Sequence, residues 1–485
     1  MPHIVILGGG FAGTTVAREL EKRFRANDGV SITLISRTNY MVFTPMLAEV
    51  AGNSVEPRHA TPPLRVFLKK TRFHQGEVRS IDLQGQCVMV EHADGGEAAI
   101  SYDYLVLGLG GVTNYHHAPG AADFSYDLKS LNDAIRLRNH VLATLELADV
   151  TPDQADRRAL LTFLAAGGGY AGVEGLGQLT DFIHKALRFY PNIDASELRF
   201  ILASHGKKLL EQVDDKLGRY VVTKLGERGV DVRLGVSVTE VTTASATLEP
   251  GGVLPTCTVL WAAGIAINPL LSQVPLPKDK RGAIQVEPTL RVVGHAHVFA
   301  LGDCAAVPRG DGTFYAPTAQ NALREGSTVA QNIAASIANI PLRRFRFNPI
   351  GSLASIGNYE AVAQVWNIPF SGLLAWFAWR AIYLFKLPDI GRKVRVLLDW
   401  ILEFVLPTDI IQLPVQPSDD SDTNNATFGE LRVATPEPTP GHTEVQPTAE
   451  AEANNATREL PVTAPEPTPE RAEAQPTAAL QEVHL

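Results

Sequence analysis

Cysteine is scarce: three residues in a chain of 485, none close to another in the sequence. Cys87, Cys257 and Cys304 form no C-x-x-C pair, which excludes a redox-active disulfide between neighbouring residues. Such sparse use of cysteine is compatible with a reducing compartment. The first apolar run begins at residue 3 and leaves no room for a signal peptide, so we expect a cytoplasmic location.

The chain also lacks a strong charge outside its last part and lacks a long apolar run. The formal net charge is −9, but residues 414–485 carry thirteen acids against three arginines, so the remainder is nearly neutral. No basic field therefore indicates binding to nucleic acid. Arg380 and Lys386 interrupt the longest apolar stretch, which makes a bilayer-spanning helix of roughly 20 residues improbable.

Residues 414–485 have a composition of their own. Two similar units begin at Asn424 and Asn454, each with PEPTP followed by QPTA, and the segment holds 11 of the 32 prolines. These units have too few apolar residues to build a core. We expect a disordered, extended, acidic tail.

What the sequence does contain is two glycine loops, each between an apolar strand and a helix. Gly8, Gly10 and Gly13 follow HIVIL, and Gly167, Gly169 and Gly172 follow LLTFLAA. In this G-x-G-x-x-G pattern the glycines allow a tight turn and a close approach of backbone to a pyrophosphate at the helix N-terminus. One such loop is weak evidence, but two in the same setting indicate two bound dinucleotides, and hence hydride transfer from a nicotinamide to a flavin.

The pattern predicts an α/β fold with two Rossmann-like dinucleotide-binding domains. Further buried strands are expected at 30–36, 102–110, 198–204, 258–264 and 297–303, with a helix over 318–338. We assign residues 1–125 and 282–345 to a discontinuous FAD domain and 126–281 to an NAD(P)H domain.

Several motifs, in this order, resemble those of the type II NADH:quinone oxidoreductases, which belong to the two-dinucleotide-domain flavoproteins. The resemblance covers about residues 3–413 and rests on NYMVFTPML, GGGYAGVEGLGQL, VLWAAGIAINPLL, HVFALGDCAAVP and PTAQNALREG. It implies an enzyme that passes two electrons from NADH through FAD to a membrane quinone without proton pumping. Because hydride transfer needs orientation and a dry site, no catalytic triad or metal cluster is expected.

The resemblance also implies residue roles. For FAD it implies Gly8, Gly10, Gly13, Thr44, Pro45, Gly110, Gly302, Asp303 and Ala319. For NAD(P)H it implies Gly167, Gly169, Gly172, Glu174, Ser204, Ala263 and Gly264. The candidate catalytic residues are Glu174, beside the nicotinamide, and Gln320 and Arg324, where flavin and quinone meet.

Two of these residues, and the neighbouring Cys304, have more than one interpretation. Glu174 could be a first-turn glutamate that complements the helix dipole, and Asp303 could be a helix N-cap. We interpret Cys304, next to Asp303, as a small buried residue rather than a nucleophile.

Three positions depart from the family pattern. Ser36 stands where an acid would bind the ribose of FAD, although some branches of the family also have serine there. Ser204 takes the corresponding position for the nicotinamide nucleotide, with His205, Lys207 and Lys208 nearby. An acid there would repel a 2′-phosphate, whereas serine with basic neighbours would not, so we expect NADPH to be tolerated. The family resemblance implies that NADH is still favoured. Arg324 replaces the second glutamine of the family's A-Q-x-A-x-Q quinone motif.

Residues 346–413 are aromatic and amphipathic, with six Lys or Arg against five Asp or Glu, which is typical of a segment lying in a membrane interface. An ordinary core or dimer helix pair is the alternative, and the resemblance favours the membrane. We expect a peripheral enzyme on the cytoplasmic side of the inner (plasma) membrane, with a homodimer as one oligomeric state. Two other functions stay open: a reductase of a soluble acceptor similar to ferredoxin reductases, and a redox-responsive scaffold similar to apoptosis-inducing-factor-type flavoproteins.

Overall fold

Two parallel sheets carry the two glycine loops, in a computed structural model that describes residues 1–25, 28–366 and 368–414. The strands are β1 His3–Leu7, β2 Ser31–Ser36, β3 Arg72–Gln75, β4 Glu77–Asp82, β5 Cys87–Glu91, β6 Glu97–Ser101, β7 Tyr104–Leu107, β8 Gly111–Thr113, β9 Thr162–Ala166, β10 Arg199–Ser204, β11 Val230–Leu234, β12 Ser237–Val241, β13 Ser245–Glu249, β14 Gly252–Pro255, β15 Thr258–Trp261, β16 Ile265–Ile267, β17 Ile284–Gln285, β18 Val298–Ala300, β19 Ala305–Ala306, β20 Gly351–Gly357, β21 Glu360–Val365 and β22 Ile368–Ser371. The α-helices are α1 Phe11–Arg23, α2 Leu47–Ala51, α3 Leu64–Phe67, α4 Ala121–Phe124, α5 Leu131–Val150, α6 Gln154–Leu160, α7 Tyr170–Ala186, α8 Asp215–Glu227, α9 Ala319–Ile337, α10 Leu373–Lys386 and α11 Ile390–Val405.

The first sheet has the strand order β18-β7-β1-β2-β3, and all of its pairs are parallel. The central strand β1 is apolar and fully buried from Ile4 to Leu7, as expected for a strand covered on both faces. Helix α1 follows the first glycine loop and packs against α9, which returns from much later in the chain. The chain therefore completes its first sheet after it has built the second.

The second sheet repeats this plan with the order β11-β10-β9-β15, again entirely parallel. Helix α7 follows the second glycine loop and begins at Tyr170. Glu174 therefore lies in the second turn of α7, and its interpretation as a first-turn residue is wrong. The predicted α/β class with two Rossmann-like sheets is confirmed.

Smaller antiparallel sheets accompany the two parallel sheets. Strands β4, β5 and β6 form one meander, and β12, β13 and β14 form another. Strand β8, which follows the first sheet, pairs with β16, which follows the second. This pairing joins the carboxyl-end loops of the two sheets, where ligands bind in open α/β folds.

The C-terminal part contains a sheet that the sequence did not predict. Strands β20, β21 and β22 form an antiparallel meander, and α10 packs against β21. Its strands use small residues such as Ala354, Ala361 and Ala363, so no strong alternation marks them in the sequence. Helices α10 and α11 follow this sheet and contain most of two apolar stretches of the sequence, at 370–387 and 394–406. The expected tail lies outside the described residues, apart from Pro414.

Candidate active site

The first glycine loop uses its three glycines in three different ways. Gly8 has a φ of +106°, and a Cβ there would lie 2.2 Å from the carbonyl oxygen of Gly108. A Cβ on Gly13 would lie 2.0 Å from the oxygen of Gly8, so this glycine lets α1 approach the strand. Gly10, in contrast, has open space around its Cβ position for 4 Å.

The second loop has the same geometry. Gly167 has a φ of +120° and would meet Ala262, whereas a Cβ on Gly172 would lie 2.0 Å from the oxygen of Gly167. Gly169 again faces open space. Neither α1 nor α7 has a side-chain N-cap, so the free N–H groups of both first turns are available to an anion. Both loops therefore fit a dinucleotide pyrophosphate.

The turn that carries Thr44 and Pro45 lies beside the first loop. Both residues belong to a 3₁₀ turn, Thr44–Met46, directly after the buried Phe43. The Phe43 ring makes edge contacts with Phe11, at 5.6 Å between centroids, and with Tyr383 of α10, at 6.2 Å. The turn is thus fixed between the first glycine loop and the C-terminal helices, and the contact with Tyr383 had no signal in the sequence.

Asp303 lies in a 3₁₀ turn, Gly302–Cys304, and does not cap a helix. Burial raises the pKa of its carboxyl, against the opposing charge of Lys129. Gly302, with a φ of +72°, donates its N–H to Glu325 Oε2 at 2.7 Å. Burial raises the pKa of Glu325 to about 7. Sequence reasoning missed Lys129, which lies in no quoted motif, and gave no role to Glu325, which lies within PTAQNALREG.

Cys304 is fully buried, and its thiol lies 3.3 Å from the Leu107 oxygen and 3.2 Å from the Leu301 oxygen. Burial raises its pKa to about 12, so it carries no thiolate at neutral pH. Its interpretation as a small buried residue is confirmed. Gly110, at the end of the neighbouring strand, has a φ of +68° and open space at its Cβ position.

The strand end at Ala263 and Gly264 faces the second loop. Gly264 has a φ of +150°, and its oxygen accepts the N–H of Asn114 at 3.1 Å. The ring of His116 lies 3.1 Å, through Nε2, from the oxygen of Ala263. The preceding residue, Ala262, is the one that Gly167 approaches. Loop and strand end therefore form one continuous backbone surface.

Glu174 is held by the C-terminal part of the chain. Its Oε1 accepts the N–H of Ser355, at 2.9 Å, and the indole Nε1–H of Trp379, at 3.1 Å. Both donors bind the same oxygen, so Oε2 remains able to carry a proton. Burial raises the pKa of Glu174 to about 8, with a further increase from the nearby charge of Glu49. The carboxyl is therefore mostly protonated at neutral pH.

A second buried carboxylate, Glu49 of α2, also contacts the C-terminal helices. Trp400 Nε1 donates to its Oε2 at 3.3 Å, and Arg380 Nη2 lies 3.8 Å from its Oε1. Arg380 also pairs with Glu403 at 3.1 Å and lies over the ring of Trp376 at 4.0 Å. Burial raises the pKa of Glu49 to about 7, although Arg380 opposes the shift. These contacts fix α10 and α11 against the core.

The start of α9 places the residues predicted for the quinone. Thr318 caps the helix by accepting the N–H of Asn321, so Ala319 is the first helical residue. Gln320 donates through its side-chain amide to the oxygen of Gly351 at 3.4 Å. Arg324, one turn further, is exposed and lies over the ring of Phe347 at 5.5 Å.

Ser204, at the end of β10, lies under the second glycine loop. A Cβ on Gly168 would lie 2.5 Å from its hydroxyl, and the residue is buried. Lys208 is paired with Asp215 at 2.8 Å. Glu211 is exposed, and its Oε1 lies 2.7 Å from the Cβ position of Gly206. The structure thus brings a carboxylate beside the strand end, although not from the expected position.

The outer side of α10 and α11 is apolar. We call this surface the apolar face; it comprises Leu374, Phe377, Phe385, Val394, Leu397, Leu398, Ile401, Leu402 and Val405, each at least 44% exposed. Arg392, Lys393 and Arg395 lie in the first turns of α11. Within the described residues, no helix has both the length and the apolar character needed to cross a bilayer.

Comparison with known proteins assigns the family. A sequence model of the pyridine nucleotide-disulphide oxidoreductases matches residues 2–326, and one of the NDH2 C-terminal domain matches residues 350–406. The type II NADH:quinone oxidoreductase Ndh of Mycobacterium tuberculosis is 33% identical over 83% of this chain and 88% of its own length. This chain belongs to the type II NADH:quinone oxidoreductases.

Other type II NADH:quinone oxidoreductases and their neighbours agree with this assignment. The demethylphylloquinone reductase NdbB of Synechocystis is 30% identical over 82% of this chain and 96% of its own length. The structure of NDH2 from Plasmodium falciparum in complex with NADH superposes with a TM-score of 0.78 at 20% identity, covering 84% of this chain and 99% of that one. The last match supports the fold. The resemblance found in the sequence is confirmed.

Proposed function

We propose that this chain transfers two electrons from NADH to a membrane quinone through FAD, without pumping protons. The observation that carries the proposal is the presence, in one chain, of two glycine loops with the same geometry. One loop would hold the donor and the other the flavin, so both dinucleotides would be bound at once. In sum, NADH, one proton and a quinone become NAD⁺ and a quinol.

The first loop, with Gly110, Gly302 and Asp303, would hold FAD, and Thr44 and Pro45 would lie beside its ring. The chemistry that FAD supplies when bound is acceptance of a hydride and release of two electrons. Gly169 and the first turn of α7 would hold the NADH pyrophosphate. The backbone at Ala263 and Gly264 would position the nicotinamide, because it is continuous with that loop.

Quinone reduction consumes protons, and Glu174 is the group that we propose to hold one. Its raised pKa leaves it protonated at neutral pH, and its free Oε2 can donate. It lies on the helix of the second glycine loop, proposed for the donor, and accepts a hydrogen bond from Trp379 of α10. Gln320 would donate to a quinone carbonyl, with Arg324 one turn away.

A membrane quinone is favoured over a soluble acceptor by the apolar face. Exposed Leu, Ile, Val and Phe side chains next to Arg392, Lys393 and Arg395 suit an interface with acidic lipids. We propose peripheral attachment through 346–413 on the cytoplasmic side of the inner membrane, where NADH is available. A homodimer that buries the apolar face is the alternative use of the same surface.

NADH is the donor that we propose to be preferred. Ser204 is buried beneath the second glycine loop, and Lys208 forms an ion pair with Asp215. The carboxylate of Glu211 would accept a hydrogen bond from a ribose 2′-hydroxyl, and its negative charge would repel a 2′-phosphate. We still predict that NADPH is tolerated. Because Glu211 would repel its 2′-phosphate, we expect the activity with NADPH to be low.

The test is turnover by the purified full chain loaded with FAD. We expect NADH oxidation to accelerate strongly when a soluble quinone analogue is added. Slow oxidation that the quinone does not change would contradict quinone reduction and favour the scaffold function. Rapid electron transfer to a soluble protein such as a ferredoxin, with none to the quinone, would favour the soluble reductase.

A further inference from the structure

A cavity of about 580 Å³ lies away from both glycine loops and has a basic lining. Three arginines line it, Arg309, Arg344 and Arg346, together with one acid, Asp311. Asp311 Oδ1 accepts the N–H and the hydroxyl of Thr313, and these hydrogen bonds, with the charge of Arg309, lower the pKa of this carboxyl. Three arginines against one acid leave the lining with a net charge of +2. Within the described part of the chain, no ion pair holds Arg344 or Arg346.

Backbone hydrogen bonds hold every second residue of the segment 343–347, which carries two of these arginines. The N–H of Arg343 donates to Asn332 Oδ1 at 2.8 Å, and the N–H of Phe345 donates to the oxygen of Pro288 at 2.7 Å. The N–H of Phe347 donates to the hydroxyl of Tyr315 at 3.2 Å. Arg344 and Arg346 are exposed, and both line the cavity together with Phe345 and Phe347.

Aromatic rings reinforce the lining. Phe345 is buried and makes an edge contact with Tyr315 at 4.9 Å between ring centroids. The guanidinium of Arg309 lies 5.5 Å from the centroid of the Tyr315 ring. A cavity with several planar, permanently charged donors on a rigid wall suits a phosphate group, which arginine binds through paired hydrogen bonds.

A series of neighbouring side chains leads from the cavity towards the apolar face. Phe347 lines the cavity, and its ring is covered by Arg324. Burial and then the charge of Arg324 lower the pKa of Lys386, the last residue of α10, so Lys386 is near Arg324. The adjacent Phe385 is 81% exposed on the apolar face. A molecule whose acyl chains contact that face could therefore place its headgroup in the cavity.

The geometry points to a binding site for the phosphate of an anionic phospholipid, formed by Arg309, Arg344 and Arg346. This assignment rests on the proposed membrane attachment and specifies one lipid contact within it. Electrostatic attraction of the first turns of α11 to a charged membrane would be diffuse, whereas this site would saturate with one lipid per chain.

The test uses the full FAD-loaded chain and a soluble short-chain phosphatidylglycerol below its micelle concentration, titrated calorimetrically. We expect saturable one-to-one binding to the wild type and at least about tenfold weaker binding to the double variant R344Q/R346Q. The matched control is R343Q, which removes a charge from the same segment but whose guanidinium is directed to Gln331 rather than into the cavity. It should change the affinity by less than about twofold.

Each other outcome overturns the assignment. Binding of inorganic phosphate as tight as that of the lipid would identify a free-phosphate site instead. If short-chain phosphatidylcholine bound as tightly as phosphatidylglycerol, the net charge of the lipid would have no role in binding. If no saturable binding occurred, or if R343Q lost as much affinity as R344Q/R346Q, the assignment of this site would be wrong. The measurement needs neither quinone turnover nor vesicles, so its failure is distinguishable from failure of the proposed enzyme activity, which is checked with a soluble quinone analogue on the same samples.

Discussion

Trp379 Nε1 donates a hydrogen bond of 3.1 Å to Glu174 Oε1. The indole belongs to α10, and the carboxyl belongs to α7, the helix of the second glycine loop. This bond joins the helix of the second glycine loop to the C-terminal helices. Because the same carboxyl oxygen accepts the N–H of Ser355, two elements of the C-terminal part converge on one acid.

Glu174→Gln should change the pH dependence of stability. The folded carboxyl has a pKa of about 8 against an ordinary value of 4.5, so between these values the unfolded chain loses a proton that the folded chain keeps. Wild-type stability therefore falls as the pH rises through this window. Glutamine keeps the acceptor oxygen and cannot titrate, so the variant should gain stability relative to the wild type, on the order of 2–4 kcal/mol from about pH 5 to pH 8.5.

Urea unfolding of both proteins at several pH values checks this prediction. The exposed Glu97→Gln variant is the control, and its difference from the wild type should stay constant with pH. A constant difference for Glu174→Gln as well would show that the Glu174 carboxyl is already ionised in the folded protein at neutral pH.

Gly169→Ala should separate nucleotide binding from folding. Its Cβ meets nothing within 4 Å, so the variant should fold and keep its flavin. The methyl group would occupy space proposed for the NADH pyrophosphate, so we expect KM for NADH to rise about tenfold or more. Gly172→Ala is the contrasting variant, since its Cβ would lie 2.0 Å from a backbone oxygen and should impair folding. An unchanged KM in Gly169→Ala would argue against this loop as the donor site.

Gly177→Ala should weaken the docking of the C-terminal sheet. A Cβ there would lie 2.5 Å from the oxygen of Ile356 in β20, where backbone cannot easily yield. We expect a loss of about 1–3 kcal/mol in stability. Gly226→Ala, in α8 with open space around it, should be neutral or stabilising by up to about 1 kcal/mol. Thermal unfolding followed by flavin release measures both, and equal effects would refute the close contact.

Glu211→Gln should shift nucleotide preference. Removing the charge beside Gly206 should raise the ratio of kcat/KM for NADPH to that for NADH by about three- to tenfold. Glu97→Gln, on the distant meander, should leave the ratio unchanged. Stopped-flow flavin reduction by each nucleotide gives the ratio directly. If Glu211→Gln behaves like the control, another group sets the preference.

Polar substitutions on the apolar face should release the enzyme from membranes. We expect Leu398→Gln combined with Ile401→Gln and Val405→Gln to reduce co-sedimentation with anionic vesicles by about tenfold or more. The control combines Val150→Gln and Val253→Gln, two exposed residues elsewhere. Both proteins should keep the flavin spectrum. Undiminished sedimentation, together with a change from dimer to monomer, would instead assign the face to a homodimer.

The sequence predicted the two parallel sheets because each glycine loop has a strand before it and an amphipathic helix after it. These are local patterns, and Gly8, Gly13, Gly167 and Gly172 occupy the strained or close-packed positions that only glycine suits. Cys304 was also placed correctly, since a small apolar-like residue beside a buried strand end has few other uses.

What could not be predicted depends on contacts between distant residues. Glu325 and Lys129 approach the Asp303 turn, and Trp379 approaches Glu174, across sequence separations that leave no pattern. The sheet of β20 to β22 was missed because its strands are rich in alanine and glycine, which give a weak alternation. Glu211 lies in a loop after β10 and approaches Gly206. The family motif places the acid at the end of the strand itself, so it gave no signal for Glu211.

The buried acids have a consequence for anyone who wants a soluble form of the enzyme. A chain cut near residue 345 would lose Ser355, Trp379 and Arg380, and with them the partners of Glu174 and Glu49. The two carboxyls that these groups now cover would face water, and Glu49 lies in α2, directly after the Thr44–Met46 turn. The deletion would therefore disturb the interior of the protein, whereas polar substitutions on the outer surface of α11 would leave these contacts intact.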